Sequence, residues 1–475
     1  MTISATRRTA LLGMGALSLV SLGETTAAAR VRRRPNIVFI LADDMGYADV
    51  ACYGRTDVRT PAIDSLARDG IQLLQGYANS AVCSATRTAL MTGRYQYRLP
   101  IGLEEPLAGS SGNVGLPPEH PTLPSMLRAS GYRTALIGKW HLGELPDFGP
   151  LKSGYEEFFG FRGGALDYFS HKGARDQDDL WRQDQKIEMP GYFTNLVGQQ
   201  AVDFIDRSAA LDRPFFLSMH FNAPHWPWEG PHDSAEARRI AGTGLRHLDG
   251  GSRKTYLEMI EAMDAEVDRV LKTLARHGIR EDTIVVFTSD NGGERFADTW
   301  PFSGQKTELL EGGLRVPSLI SWPNGLPRGQ QNDQVSITMD WVATLLSAAG
   351  VAPDPAYPLD AIDLLPILRG AELQRRTLYW RYKANHQRAV RDGNLKYFKI
   401  LNNTFLFDVV ADPLERANLK TRQPEDFARL EAMWKDWNST MLPEQDKTFT
   451  ESVQGKDQAD HFGSGPAIKT ADPGD

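Results

Sequence analysis

Two runs with unbroken apolar centres, Asn36–Ala42 (NIVFILA) and Thr283–Thr288 (TIVVFT), constrain this chain more than any other feature. A strand with one face in water alternates apolar and polar side chains, so an unbroken apolar strand must be covered on both faces. Thr134–Gly138, Pro214–His220 and the short Ser318–Ser321 read as further strands of this kind. Helical patterns fall between them. Thr60–Gly70 and Ser84–Thr92 each stop at a glycine, and Lys254–His277 carries Met259, Met263, Val267, Val270 and Leu274 at helical spacing. The alternation predicts an α/β fold, a large mixed, mostly parallel sheet sandwiched by helices.

The texture changes after Gly370. Leu378–Tyr382, Gln387–Val390, Leu395–Ile400 and Thr404–Asp408 read as short strands with turns such as Asp392-Gly393, and a helix follows from Glu425 to Trp437. A small C-terminal antiparallel sheet plus helix is therefore expected over 371–442, after a main domain over 30–370. The polar tail 443–475 reads as irregular. At the other end, Arg7 and Arg8 precede an apolar run from Ala10 to Leu22 and the small residues Ala27, Ala28 and Ala29. This is the order of an export signal over 1–29, and paired arginines point to the twin-arginine route, with a general secretory signal or an uncleaved anchor as alternatives. The run is too short and too rich in Gly and Ser for a stable membrane span. The protein is expected to be exported, periplasmic or secreted.

A formal net charge of -7 over 475 residues argues against nucleic acid as a partner. It also means that any anionic substrate must be held by local positive groups inside a site. Only two cysteines are present, Cys52 and Cys83. Outside the cytoplasm an even count defaults to a disulfide. The surroundings of Cys83 point to another use, and Cys52 reads as a small buried residue.

Chemistry gathers where strands end. Asn36–Ala42 runs into Asp43-Asp44, and Thr283–Thr288 into Ser289-Asp290-Asn291-Gly292. Ligands in open α/β sheets collect beyond the carboxyl ends of strands. Three carboxylates and an amide are all oxygen donors, which suit calcium or magnesium better than zinc. Cys83 opens a helix, where free N–H groups favour an anion, and Arg87 lies one turn on along the same face. Gly138-Lys139-Trp140-His141 follows a strand, so Lys139 and His141 can address one pocket. Asn222-Ala223-Pro224-His225-Trp226 follows another, and Gly304-Gln305-Lys306 completes the set.

In this order, from about Pro35 to Leu419, these residues resemble the sulfatase family of the alkaline-phosphatase superfamily. The resemblance implies an alkaline-phosphatase-like fold and a calcium ion (Ca2+) held by Asp43, Asp44, Asp290 and Asn291. It implies that Cys83 is oxidised after translation to formylglycine, which also touches the metal. Arg87, Lys139, His141, His225 and Lys306 match the family's sulfate-binding and proton-transfer residues. The family's Cys-x-Pro-x-Arg motif is departed from at Ala85, where Pro is usual, which bears on the efficiency of modification. A formylglycine-generating enzyme is the implied partner. The implied reaction is hydrolysis of sulfate esters through a sulfated enzyme intermediate, His225 protonating the departing alcohol and His141 taking the proton that releases sulfate.

Rival readings are a phosphonate or phosphate-diester hydrolase, a sulfated-glycan-binding protein without activity, and an unmodified Cys hydrolase. Tyr168, His171 and Trp226 stand in segments similar to those near the site in sulfatases of carbohydrate sulfates. Arg381 and His386 fall in the smaller sheet. Aromatic faces suit sugar rings, and Arg and His suit acidic neighbours, so these five are candidate substrate contacts. An amino-sugar or other glycan sulfate is the first expectation and a small aryl or alkyl sulfate the second.

Overall fold

The computed structural model describes residues 34–107, 114–245 and 250–444. The export signal read at 1–29 lies outside the described residues, and the tail read from Pro443 is described only to Glu444.

Among the described residues the main sheet has ten strands. Their order is Gln330–Asn332, Ile71–Leu73, Ser318–Ser321, Thr283–Ser289, Asn36–Ala42, Phe215–His220, Arg133–Lys139, Glu157–Phe161, Trp181–Arg182 and Gln185–Lys186. The five central strands, from Thr283–Ser289 to Glu157–Phe161, run parallel, whereas Ser318–Ser321 is antiparallel to both neighbours. The covering expected of unbroken apolar strands is visible in Asn36–Ala42. Val38, Ile40 and Ala42 enter a core layer with Met259, Met263, Val267 and Val270 of the helix Arg253–Arg276. Ile37, Phe39 and Leu41 enter a second layer with Leu123, Leu127, Trp341 and Leu345. Burying each such side chain stabilises by about 1.5–3 kcal/mol, so one strand anchors both layers.

Register brings the carboxyl ends together. Leu41 pairs with His220, His220 with Gly138, and Ala42 with Ser289. Gly138 is needed for this close approach, since its φ is +119° and a Cβ there would fall 1.8 Å from the His220 carbonyl oxygen. Asp43-Asp44, Asp290-Asn291, Lys139 and the segment leading to His225 therefore all leave one edge of the sheet.

A four-stranded antiparallel sheet, Thr377–Tyr382, Gln387–Asp392, Leu395–Ile400 and Asn403–Asp408, follows with the helix Pro424–Ser439. Leu378, Trp380, Phe398 and Phe407 of this sheet form one apolar cluster with Val82, which precedes the helix Cys83–Thr92, and with Ala85 and Ala89 of that helix. Every residue of that helix is buried. A buried ionic group ties the same sheet to the chain just after Lys306. Lys396 Nζ donates to Glu311 Oε1 and lies 2.9 Å from both Glu311 and Glu415, while Arg315 Nε donates to Glu311 Oε2 at 2.7 Å. Both cysteines are free, so the disulfide alternative falls away, and Cys52 is half-buried rather than fully enclosed. Among the described residues no helix is long and apolar enough to cross a membrane.

Candidate active site

Cys83 begins the helix Cys83–Thr92 and is buried. Its Sγ lies 3.3 Å from His141 Nδ1. The other ring nitrogen of His141 lies 2.8 Å from the Leu107 carbonyl oxygen. A carbonyl only accepts, so Nε2 carries the hydrogen and neutral His141 turns the lone pair of Nδ1 toward Cys83. Burial, reinforced by Lys139, holds the His141 ring well below the usual histidine range, which keeps it neutral. Burial also pushes the Cys83 thiol up to about 11, so an unmodified Cys83 is a thiol rather than a nucleophilic thiolate.

Around this pair the oxygen donors converge. One oxygen each from Asp43 and Asp290 and the Cys83 sulfur lie within 4.8 Å of one another, as do single atoms of Asp43, Asp44 and His225. Asp44 sits at φ 63°, and its N–H donates to Asp290 Oδ1 at 3.3 Å. Asn291 Nδ2 donates to Asp44 Oδ1 at 2.8 Å. Asp43 Oδ1 and Asn291 Oδ1 are buried and accept no hydrogen bond from any described residue. Buried polar atoms are nearly always satisfied, so orphaned oxygens on Asp43 and Asn291, next to the Asp44 and Asp290 carboxylates, fit a hard cation such as calcium.

Fixed cations ring these acids. Arg87 Nε donates to Asp290 Oδ2 at 2.9 Å, and NH1 donates to the Lys139 carbonyl at 3.2 Å. Lys139 Nζ donates to Asp43 Oδ2 at 2.6 Å with both side chains fully buried. Lys306 Nζ donates to Asp44 Oδ2 at 2.6 Å and to Glu294 Oε2 at 3.4 Å. Burial raises the Asp43 carboxyl, and the neighbouring Asp290 adds to the shift. Burial opposes ionisation of Asp44 too, but Lys306, His225 and Lys139 outweigh it and hold that carboxyl below its ordinary range. His225 Nδ1 lies 2.6 Å from the Trp226 carbonyl, so Nε2 faces Asp44 Oδ2 at 3.5 Å. All residues read from the sequence as catalytic or metal-binding therefore meet in one buried cluster.

The protein-family comparison matches residues 35–351 to the family described as Sulfatase. The chain belongs to the sulfatase family. As a sulfatase it is a sulfuric ester hydrolase, and a second match, described as N-sulphoglucosamine sulphohydrolase, C-terminal, covers residues 304–438. N-acetylgalactosamine-6-sulfatase of Canis lupus familiaris is 32% identical over 403 residues, covering 80% of this chain and 74% of the relative. Arylsulfatase A of Homo sapiens is 30% identical over 424 residues, covering 82% and 79%. The solved structure of Ps i-CgsB in complex with k-i-k-neocarrahexaose superposes with a TM-score of 0.80 at 29% identity, over 88% of this chain and 96% of that one.

The candidate substrate contacts of this sulfatase divide. Trp226 is half-buried with its ring 4.7 Å from that of His225, and His386 is exposed. The other three are buried and engaged by the protein itself. Tyr168 is fully buried and its hydroxyl donates to the His225 carbonyl at 2.9 Å, so it holds the histidine segment in place. His171 is buried, with Nε2 3.1 Å from the Gly191 carbonyl. Arg381 is buried over the Tyr97 ring and donates to Asn438 Oδ1 and the Leu442 carbonyl, fastening the C-terminal helix. Sequence reasoning passed over His220, whose Nδ1 lies 3.4 Å from Arg87 NH1, and Glu294, which pairs with Lys306. Both stand at or just beyond a strand's carboxyl end, the signal that could have found them.

Proposed function

We propose that this sulfatase hydrolyses sulfate esters on a carbohydrate, using a formylglycine made from Cys83 and a calcium ion held by Asp43, Asp44, Asp290 and Asn291. The observation that carries the reading is the meeting of the Cys83 side chain with the carboxylates of Asp290 and of Asp43, whose Oδ1 is orphaned, inside a ring of fixed cations. The carbohydrate assignment is supported by the amino-sugar relative and the oligosaccharide complex above. Calcium, when bound, would supply concentrated positive charge and Lewis acidity at the sulfate oxygens. Hydrated formylglycine would supply two hydroxyls on one carbon, where a thiol supplies a single sulfur.

The chain's own residues do the rest. Arg87, locked by Asp290 and the Lys139 carbonyl, holds a fixed charge beside the nucleophile. Lys139 and Lys306 turn from their acid partners toward sulfate oxygens and neutralise them, a task suited to preorganised cations. His225, whose Nδ1–H donates to the Trp226 carbonyl, gives a proton from Nε2 to the departing sugar oxygen in its doubly protonated form, which burial opposes and the facing Asp44 carboxylate favours. His141 takes a proton at Nδ1, the atom that faces Cys83. Because the Cys83 helix is buried, modification acts on the chain before it folds, and export by a route that carries folded proteins follows naturally.

The test combines mass and turnover. The Cys83 peptide of active enzyme should be about 18 Da lighter than its thiol form, as replacing CH2–SH by an aldehyde demands. Sulfated amino sugars and an aryl sulfate should be turned over, and the matching aryl phosphate should not. Active protein with an unmodified Cys83 thiol would overturn the mechanism.

A further inference from the structure

The most constrained group in the pocket is the His141 ring, and what constrains it has not been assigned a role. Its Nε2–H is directed at the Leu107 carbonyl at 2.8 Å. On its other side a Cβ at Gly164 would come 2.8 Å from Nε2, so the ring has little room to move. His141 itself sits at φ 58°, which fixes the direction in which its side chain leaves the backbone. Leu107 is buried and lies in irregular chain, where no sheet or helix ladder holds its peptide. What holds it is Ser84. The Leu107 N–H donates to Ser84 Oγ at 2.7 Å, and Ser84 Oγ lies 3.4 Å from the Glu104 carbonyl. Ser84 is wholly buried at the second position of the helix that Cys83 opens.

We propose that Ser84 is a positioning residue, which fixes the tautomer and aim of His141 by holding the Leu107 peptide. The contacts form a closed circuit. Cys83 and Ser84 are neighbours on one helical turn, Ser84 Oγ fixes Leu107, the Leu107 carbonyl fixes His141 Nε2–H, and His141 Nδ1 returns to the Cys83 side chain. Which ring nitrogen carries the proton is set by the hydrogen bond of the other nitrogen. Without Ser84 Oγ the Leu107 N–H is buried without a partner, and residue 107 must rotate about its backbone to satisfy it. That rotation carries the Leu107 carbonyl, which belongs to the following peptide group, away from His141 Nε2, and both ring tautomers become available. The reaction needs the lone pair on Nδ1, so a ring protonated there cannot accept.

The inference rests on the role proposed for His141, and the test separates the two. Ser84→Ala is compared with wild type for kcat per formylglycine, the modified fraction being measured by mass because Ser84 adjoins the modified residue. His141 acts after the alcohol has left. The expected result is therefore a fall in kcat on the order of ten- to hundredfold, with KM falling alongside it as the intermediate accumulates, so that kcat/KM is little changed for aryl and sugar sulfates alike. Released alcohol should then run ahead of free sulfate in the first turnover. The second measurement is nitrogen-15 NMR of labelled histidine, read on unmodified protein, so poor modification of the variant leaves it intact. Wild-type His141 should be a single Nε2–H tautomer, and the Ser84→Ala ring a mixture. A kcat per formylglycine within about twofold of wild type, or an unchanged single tautomer in Ser84→Ala, overturns the proposal. Wild-type protein without formylglycine would instead sink the functional reading, while the ring measurement still decides the role of Ser84.

Discussion

Lys139→Met separates the two partners that the structure gives this lysine. Met fills much of the volume of the side chain without its charge, so packing loss is small. Lys139 Nζ lies 2.6 Å from Asp43 Oδ2 with both side chains fully buried. Removing one partner of such a pair costs about 3–5 kcal/mol, because the remaining charge is stranded. Arg87 NH2 is still 3.7 Å from Asp43 but is committed to Asp290 at 2.8 Å, which places the loss near the lower end, about 3 kcal/mol. An unfolding entropy of about 2.1 cal/mol/K per residue, over 475 residues, gives roughly 1 kcal/mol per degree, so Tm should fall by about 3 °C. That holds in chelator. In excess calcium the ion takes over as counter-charge to Asp43, and the Tm difference should shrink to under about 1 °C. Activity in calcium should nevertheless fall by about 100- to 1,000-fold, because the sulfate loses a fixed cation. Calorimetric scans with and without chelator, beside kcat/KM on one sugar sulfate, decide the matter. An equal Tm loss in both conditions with activity retained would show that Lys139 serves the protein rather than the substrate.

Exhaustive chelation should abolish turnover, and calcium should restore it better than zinc, since the donors are all oxygens; full activity in chelator, checked by metal analysis, would remove the ion from the reaction. His225→Ala should lose far more rate on a sugar sulfate than on an activated aryl sulfate, whose leaving group needs little protonation, and an equal loss on both would end the assignment as general acid. Glu105 is buried, and desolvation pushes its carboxyl up to about 7 from 4.5, against the pull of the Lys383 N–H and Tyr97 hydroxyl. The native state then holds a proton that the unfolded chain releases, so stability falls as pH rises from 4.5 to 7, by about 3 kcal/mol from this group. Glu105→Gln should flatten that part of the pH–stability curve in denaturant titrations, and an unchanged slope would assign the proton elsewhere.

The central strands were legible because parallel strands must be apolar on both faces, and the acids were legible because they stand directly after such runs. Glu157–Phe161 (EFFGF) escaped reading, being short and carrying Glu and Gly. Phe193–Ala209 also escaped, its pattern diluted by Gly198 and polar residues, and it gains order by packing on Arg253–Arg276. Strand order is not written locally, so the sequence could place Asp43 and Asp290 at strand ends without showing that those strands are neighbours. The burial of the candidate substrate contacts was illegible for a related reason. Arg381 lies in a strand, Thr377–Tyr382, whose last three residues are all buried, and which of its faces meets solvent is decided by a helix more than forty residues on. Ser84 was invisible because its partner, Leu107, carries no side-chain chemistry.

The apolar cover of the Cys83 helix has a consequence in time. Val82, Ala85 and Ala89 are sealed by Trp380, Phe398 and Phe407, which are made 297, 315 and 324 residues after Cys83. At about 5–20 residues per second, synthesis leaves the helix without its lid for roughly 15–60 s. A modifying enzyme that needs Cys83 in extended chain has that interval, and the C-terminal sheet ends it. Slowing translation between Thr92 and Leu378 should therefore raise the modified fraction, and truncating the chain before Thr377 should keep Cys83 open to modification indefinitely. On the proposed modification of Cys83, the order in which the chain is made acts as a clock on how much of the protein becomes enzyme.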